Sequence, residues 1–476
     1  MKSSSSHLLS GNIAKAVITL AGPMFVSAIL QNAQSLIDLF WVGSLGPDAV
    51  AALTLSGVVL MAMFPVQMGL ATGTVALVSR AYGAGDVRRA SQQAGQSLTL
   101  SLIVAVILGV IFLPLLVPIA TLLGAEPDVV VQAVKYLRAS LIGMSSGMLL
   151  FIASSSLQAS GNTTVPMMAL LFANIFNMLL DPLFIFGLGP IPGFGVAGAA
   201  WATVLANLLA AAGLIWMLTR GRLQIQLEIP DFMPYLRDSI RLLQIGLPSM
   251  AQMMSRSMMG LVFYKVIARF GTEVTAGYGI GMRWHMVLLM PCFVFGNATA
   301  TLVGQNLGAG QPLRARRTTW VSVALVEMVV LITVISVWIF SHQFVAVFNN
   351  TPKVVEVGSE FLRIVTPFYL MAGVSIVCDR ALNGAGCTIA TMIFTIISLW
   401  LVQVPLALLF SGQLTFLASG GWWIVENIPI IKAILVKEWF SPAFHGVWWA
   451  MGAANATNMV LTVSWFSTGR WMNKKL

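Results

Sequence analysis

Long apolar runs separated by short charged or Gly- and Pro-containing stretches dominate this chain. Ala139 to Thr219 holds one charge, Asp181; Ala16 to Ser79 holds no cation and only Asp38 and Asp48; Ala381 to Val425 holds no ionisable charge. A helix needs about 20 apolar residues to cross the hydrocarbon core, so each gap accommodates two spans or more. Cutting at the Gly, Pro and charge punctuation predicts helices near residues 13 to 41, 48 to 78, 91 to 118, 131 to 158, 165 to 188 and 196 to 218. The second half follows with 240 to 269, 273 to 304, 316 to 343, 355 to 383, 388 to 411 and 444 to 468. The expectation is an all-α integral membrane protein of twelve transmembrane helices.

The pattern is written twice. At an offset of 225 residues, Pro23 falls on Pro248, Gly46 on Gly271, Gly83-Ala84-Gly85 on Gly308-Ala309-Gly310, and Gly161 on Gly386. These are turn landmarks, so shared apolar composition does not explain them. Six spans separate the copies, which gives both halves the same topology about an axis along the membrane normal. Two six-helix bundles are expected, an N-terminal lobe over residues 1–225 and a C-terminal lobe over 226–476, with a cleft between them. Gly198 finds its counterpart only at Gly446, so about 23 extra residues precede the twelfth span. With Trp422, Trp423 and Trp439, that insertion reads as an interfacial segment.

Composition narrows the class. Of 476 residues, 58% are AVILMFWYC and 9% are charged, with a mean hydropathy of +0.88; soluble proteins carry roughly 25% charged residues, so a soluble enzyme is excluded. The net charge of +10 reflects orientation, since no basic, aromatic-interleaved patch speaks for nucleic acid. Fifteen of the 26 Lys and Arg, among them Lys15, Arg80, Arg88, Arg89, Arg314, Arg316 and Arg317, fall on one side, against five on the other. The positive-inside rule places that side and both termini in the cytoplasm; the expected location is a bacterial-type inner membrane. Cys292, Cys378 and Cys387 sit in apolar stretches at no metal-ligand spacing, and the four histidines are dispersed. Gly143-Met144-Ser145-Ser146-Gly147 mimics a nucleophile elbow but lies within a predicted helix, where small residues serve packing. No Walker lysine follows Gly83-Ala84-Gly85, so no phosphate loop and no cofactor are expected.

Two acids need a reason to be in the membrane. An ionised carboxylate there costs at least ~2.5 kcal/mol, yet the second copy has Phe263 opposite Asp38 and Leu406 opposite Asp181. The fold therefore does not demand acids at those positions. Asn174, Asn177 and Asp181 stack on one face of the fifth helix, and Gln31, Gln34 and Ser35 extend the face of Asp38 on the first. Close carboxyls taken out of water can hold a proton and release it on rehydration, and the same hard oxygens can ligate Na+. Pro23 and Pro182 predict kinks. Arg256 and Asp379 are expected to pair, either as a structural or gating contact or as part of a substrate or cation site. The methionines of the seventh span, Met250, Met253, Met254, Met258 and Met259, suit a lipid-facing surface or a promiscuous cavity.

The 6+6 arrangement, with Gly22-Pro23 in the first span, Asp38-Leu39-Phe40-Trp41-Val42-Gly43 at its end, and Asn177-Met178-Leu179-Leu180-Asp181-Pro182 in the fifth, resembles the MATE family of multidrug and toxic compound extrusion transporters. The last motif looks like its DinF-like branch. The resemblance implies that Asp38, Asn177, Asp181 and Thr203 form an N-lobe cation network, with Asp38 and Asp181 as the Na+ ligands if the ion is Na+, and that Pro23 is a hinge. It implies a secondary antiporter exporting amphipathic, often cationic, drug-like compounds against H+ or Na+, able to work as a monomer. Gln34, Asn174, Arg256 and Asp379 are the substrate or gating candidates. A rival within the same superfamily is a lipid-linked oligosaccharide flippase, for which Arg256, Arg283 and Arg380 would supply a cationic groove.

Overall fold

The structure, a computed structural model, describes residues 8–124, 126–189, 191–221, 223–411 and 444–474. All twelve expected segments are helical. The first half contains α1 (Ile13–Gly43), α2 (Pro47–Met61 and Phe64–Gly83), α3 (Val87–Leu122), α4 (Pro127–Ile142 and Met144–Ala159), α5 (Thr164–Phe186) and α6 (Val196–Thr219). The second contains α7 (Leu236–Ala268), α8 (Thr272–Gly308), α9 (Pro312–Ala346), α10 (Pro352–Gly384), α11 (Thr388–Phe410) and α12 (His445–Ser467). Among the described residues the only strands are Gly187–Leu188 and Ile191–Pro192, a small antiparallel pair in the α5–α6 loop. Eight helices are individually long and apolar enough to cross a membrane, and ten with the bent pairs α2 and α4. The remaining two are more polar: α7 carries Arg237, Asp238, Arg241, Arg256 and Lys265, and α12 carries Asn455, Thr457 and Asn458. The insertion expected before α12 lies outside the described residues.

The repeat is visible in backbone geometry. Gly46 and its partner Gly271 take φ of 110° and 103°, and Gly85 and Gly310 take 80° and 71°, a region that disfavours a β-carbon. α1 and α5 stay helical through Pro23 and Pro182, as lipid-embedded helices can when their neighbours re-satisfy the freed groups. The sharp breaks lie elsewhere. α2 bends by 41° just before Phe64-Pro65, and α4 by 47° at Gly143, where a β-carbon would strike Val204 of α6. In α11 one stretch, Ile397–Gln403, is π-helical.

The two halves close on each other at the arginine-rich end. A β-carbon on Gly69 of α2 would lie 2.7 Å from the Gly246 carbonyl of α7, and one on Gly73 would lie 2.8 Å from that of Leu242. Ala16, Val17, Leu20, Ala21 and Met24 of α1 bury themselves against Val294, Ala298 and Leu302 of α8. Gln305 donates to the Ala159 carbonyl at 2.8 Å, and Arg314 to that of Gly11 at 2.7 Å. At the opposite end, no buried apolar cluster among the described residues joins the halves.

Candidate cation site and central cavity

Because α5 packs on both α1 and α6, its polar face meets Asp38 from one side and Thr203 from the other. Asn177 Nδ2 donates to Asp181 Oδ1 and to Thr203 Oγ1, each at 3.1 Å. The Asp38 carboxyl lies within hydrogen-bonding reach of Asn177, Asp181 and Thr203. Asp38 is 7% exposed, and Asn177 and Asp181 are fully buried. Three oxygens in this cluster, Asp38 Oδ1, Asn177 Oδ1 and Asp181 Oδ2, have no donor among the described residues. Nor does any described Lys, Arg or His pair with either acid. A buried acceptor without a donor costs about 1–3 kcal/mol; a proton or a small cation among these oxygens would offset that cost. No group of three or more His, Cys, Asp or Glu placed to hold a metal ion is found among the described residues. The site is a carboxyl pair completed by amide and hydroxyl oxygens.

Asn174 does not join the cluster. Its Nδ2 donates to the Leu170 carbonyl one turn back, at 2.9 Å. Gln34 stands one turn before Asp38 and faces a cavity of about 410 Å³ between the halves. Met24, Ser27, Gln31 and Gln34 line this cavity from α1; the other walls come from α2, α4, α8 and α10, with Leu170 of α5 and Asn207 of α6. The α7 methionines are not among its lining residues; Met254 and Met258 are about half exposed on the outer surface.

Arg256 and Asp379 do pair, Nη2 to Oδ2 at 3.9 Å. Asp379 also accepts from Thr462 Oγ1 at 2.9 Å and Asn458 Nδ2 at 3.3 Å. Its neighbour Arg380 turns to the cavity. The Glu327 carboxyl accepts from the Val374 backbone. His285 reaches Tyr369 at 2.8 Å and His445 reaches Glu360 at 2.6 Å, so each has a local partner.

Tyr136 of α4, which sequence reasoning missed, lies near the acid cluster, its hydroxyl hydrogen-bonded to Ser140. It is 7% exposed, packs beside Val42, Ile185 and Val196, and sits close enough to feel both carboxylates. The available signal was its repeat partner, Phe361, which differs from it by one hydroxyl. The cavity amides Gln67, Asn207 and Asn297 come from three helices and form no linear motif.

The MatE family model matches the chain twice, over residues 23–183 and 248–409, beginning 225 residues apart. The chain belongs to the MatE family and is a multi-pass membrane transporter, not an enzyme. It is 25% identical over 405 residues to the probable multidrug resistance protein YoeA of Bacillus subtilis, covering 84% of this chain and 87% of that one. It is 26% identical over 404 residues to an FAD transporter of Shewanella oneidensis, covering 85% and 89%. A crystal structure of a MATE protein in the bent conformation superposes with a TM-score of 0.85 at 25% identity, covering 99% of this chain and 97% of that one.

Proposed function

We propose that the chain is a cation-driven antiporter exporting amphipathic organic compounds by alternating access between an N-terminal lobe, residues 1–225, and a C-terminal lobe, 226–476. The observation that carries this reading is the trio of donorless oxygens in a buried site holding two acids and no basic partner. H+ and Na+ both satisfy such oxygens. With the arginine-rich end read as cytoplasmic, the seal at that end supports an outward-open state, with Asp38 and Asp181 buried in the N-terminal lobe. Gln34, one turn from Asp38 on the cavity-lining stripe of α1, connects ion site and substrate cavity, and Pro23 is the hinge on which α1 responds. Ion and substrate need only bias the same two states in opposite directions. A monomer contains every part. The flippase reading calls for a cationic groove, and the described walls of the cavity offer a single guanidinium.

Proteoliposomes loaded with ethidium or riboflavin 5′-phosphate test this under an imposed pH gradient and, separately, an imposed Na+ gradient. Efflux of either dye under one gradient, lost in Asp181→Asn, is expected and identifies the ion. Efflux unaffected by Asp181→Asn, or none under either gradient, overturns the antiport.

A further inference from the structure

Resemblance to a drug-exporting family leads one to expect cationic substrates, but the cavity has the wrong lining for them. Its described walls contain no Asp, Glu, Lys or His; their one charge is Arg380, and most of the other polar groups are neutral amides such as Gln31, Gln34, Gln67 and Asn297. The two acids whose charge would suit a cationic compound, Asp38 and Asp181, are not among the lining residues. Asp379 is spent on Arg256, Thr462 and Asn458. Arg380 makes no hydrogen bond or ion pair among the described residues; it lies 5.7 Å over the Phe293 ring.

We propose that the central cavity selects an amphipathic organic anion whose carboxylate or phosphate pairs with Arg380. A guanidinium presents parallel N–H donors that match either group bidentately, and the surrounding amides supply donors to the rest of a polar head. The apolar body has Phe64, Met68 and Phe151 to pack on.

The repeat shows that Arg380 is built into this position. Thr72 and Asn297, Gln158 and Asn383, and Ser155 and Arg380 are partners at the 225-residue offset, and all six line the cavity from its two sides. Position 380 therefore faces the cavity by the geometry of the duplicated bundle, and the chain has placed a charge there on one side only. Gly296 of α8 clears the path: a β-carbon there would stand 2.8 Å from Arg380 Cγ.

The inference rests on the transport reading and sharpens its substrate class, so its test is a binding measurement separate from flux. Purified full-length protein is titrated with riboflavin 5′-phosphate, with riboflavin, which shares the ring and lacks the phosphate, and with ethidium, each followed by its own fluorescence. Binding of the phosphate ester at least about tenfold tighter than riboflavin is expected, since a charge-assisted pair contributes about that much. Arg380→Gln should bring the ratio to within about twofold, and Arg380→Lys should restore part of it. Should Arg380→Gln fail to fold, judged by size exclusion and circular dichroism, the wild-type ratio read against salt decides, because an ionic pair weakens as ionic strength rises. Tighter binding of ethidium, a ratio unchanged by Arg380→Gln or by salt, or no binding of any of the three overturns the proposal. Dye efflux surviving such a result would leave the antiport standing.

Discussion

The same place in the two halves of this protein is built from opposite materials. In the first half Asp38, Asn177, Asp181 and Thr203 gather around donorless oxygens, with Tyr136 nearby. Their partners in the second half are Phe263, Phe361, Val402 and Leu406 at an offset of 225, and Met451 at 248. Phe263, Phe361 and Met451 belong to the buried apolar core of that half, and Leu406 packs against it. One backbone accommodates both sets, so packing is not what requires the polar one. The second half does carry charge, but at Arg256, Asp379 and Arg380, whose partners Gln31, Ser154 and Ser155 line the cavity. There Arg256 supplies Asp379 with its own counterion. The acids of one half have no basic side chain beside them among the described residues, and the acid of the other has Arg256.

Exchanging partners across the repeat is the most direct way to break that comparison. Asp181→Leu installs the second-half residue, and gradient-driven dye efflux should fall to the level of empty vesicles. Thermal stability should hold or rise, since replacing a buried charge by an apolar group of similar volume is often neutral or favourable. Efflux that survives Asp181→Leu would mean that the two halves differ in composition and not in function.

Asn177→Val makes the next exchange. Asn177 Nδ2 is the described donor that ties Asp181 to Thr203, and a hydrogen bond to an ionised group contributes about 1.5–3 kcal/mol. The half-saturating ion concentration for efflux should rise about tenfold or more, with maximal efflux less affected. An unchanged ion dependence would remove Asn177 from the site.

Asp379→Asn reads the other half. It leaves Arg256 without its counterion, and since Arg256 is 35% exposed solvent screening reduces the cost to roughly 1–2 kcal/mol of stability, a shift of a few degrees in Tm. Gradient dependence should persist. Adding Arg256→Gln should recover part of the lost stability, and strictly additive losses would show that the pair is not coupled.

What the sequence disclosed follows from which signals are local. Twelve helices, the 225-residue register and the candidates Asp38 and Asp181 were legible, because long apolar runs make a lone acid or a recurring glycine conspicuous. The stripe Asn174, Asn177, Asp181 was legible as a helical face, but which members would converge was not: Asn174 turns back to its own helix at Leu170. The breaks at Ala62–Met63 and Gly143 escaped notice because they depend on packing between helices, as with Gly143 against Val204. Arg380 was visible as an intramembrane charge, yet its exposure to the cavity emerges only when α8 and α10 are placed together.

Tyr136→Phe is the smallest exchange and the most exacting. It removes one oxygen and reproduces the residue at the partner position, Phe361, in a site already packed by Val42, Ile185 and Val196, so shape and burial are conserved. A phenol beside two carboxyls can donate to whichever is unprotonated, an interaction worth about 0.5–1.5 kcal/mol. Its loss should therefore shift the half-saturating ion concentration by about twofold to tenfold and leave Tm within a degree or two. A shift of that size in ion dependence at constant Tm would place the hydroxyl among the groups that sense the ion. A drop in Tm with unchanged ion dependence would instead make Tyr136 a packing residue, as Phe361 is in the apolar core of the second half.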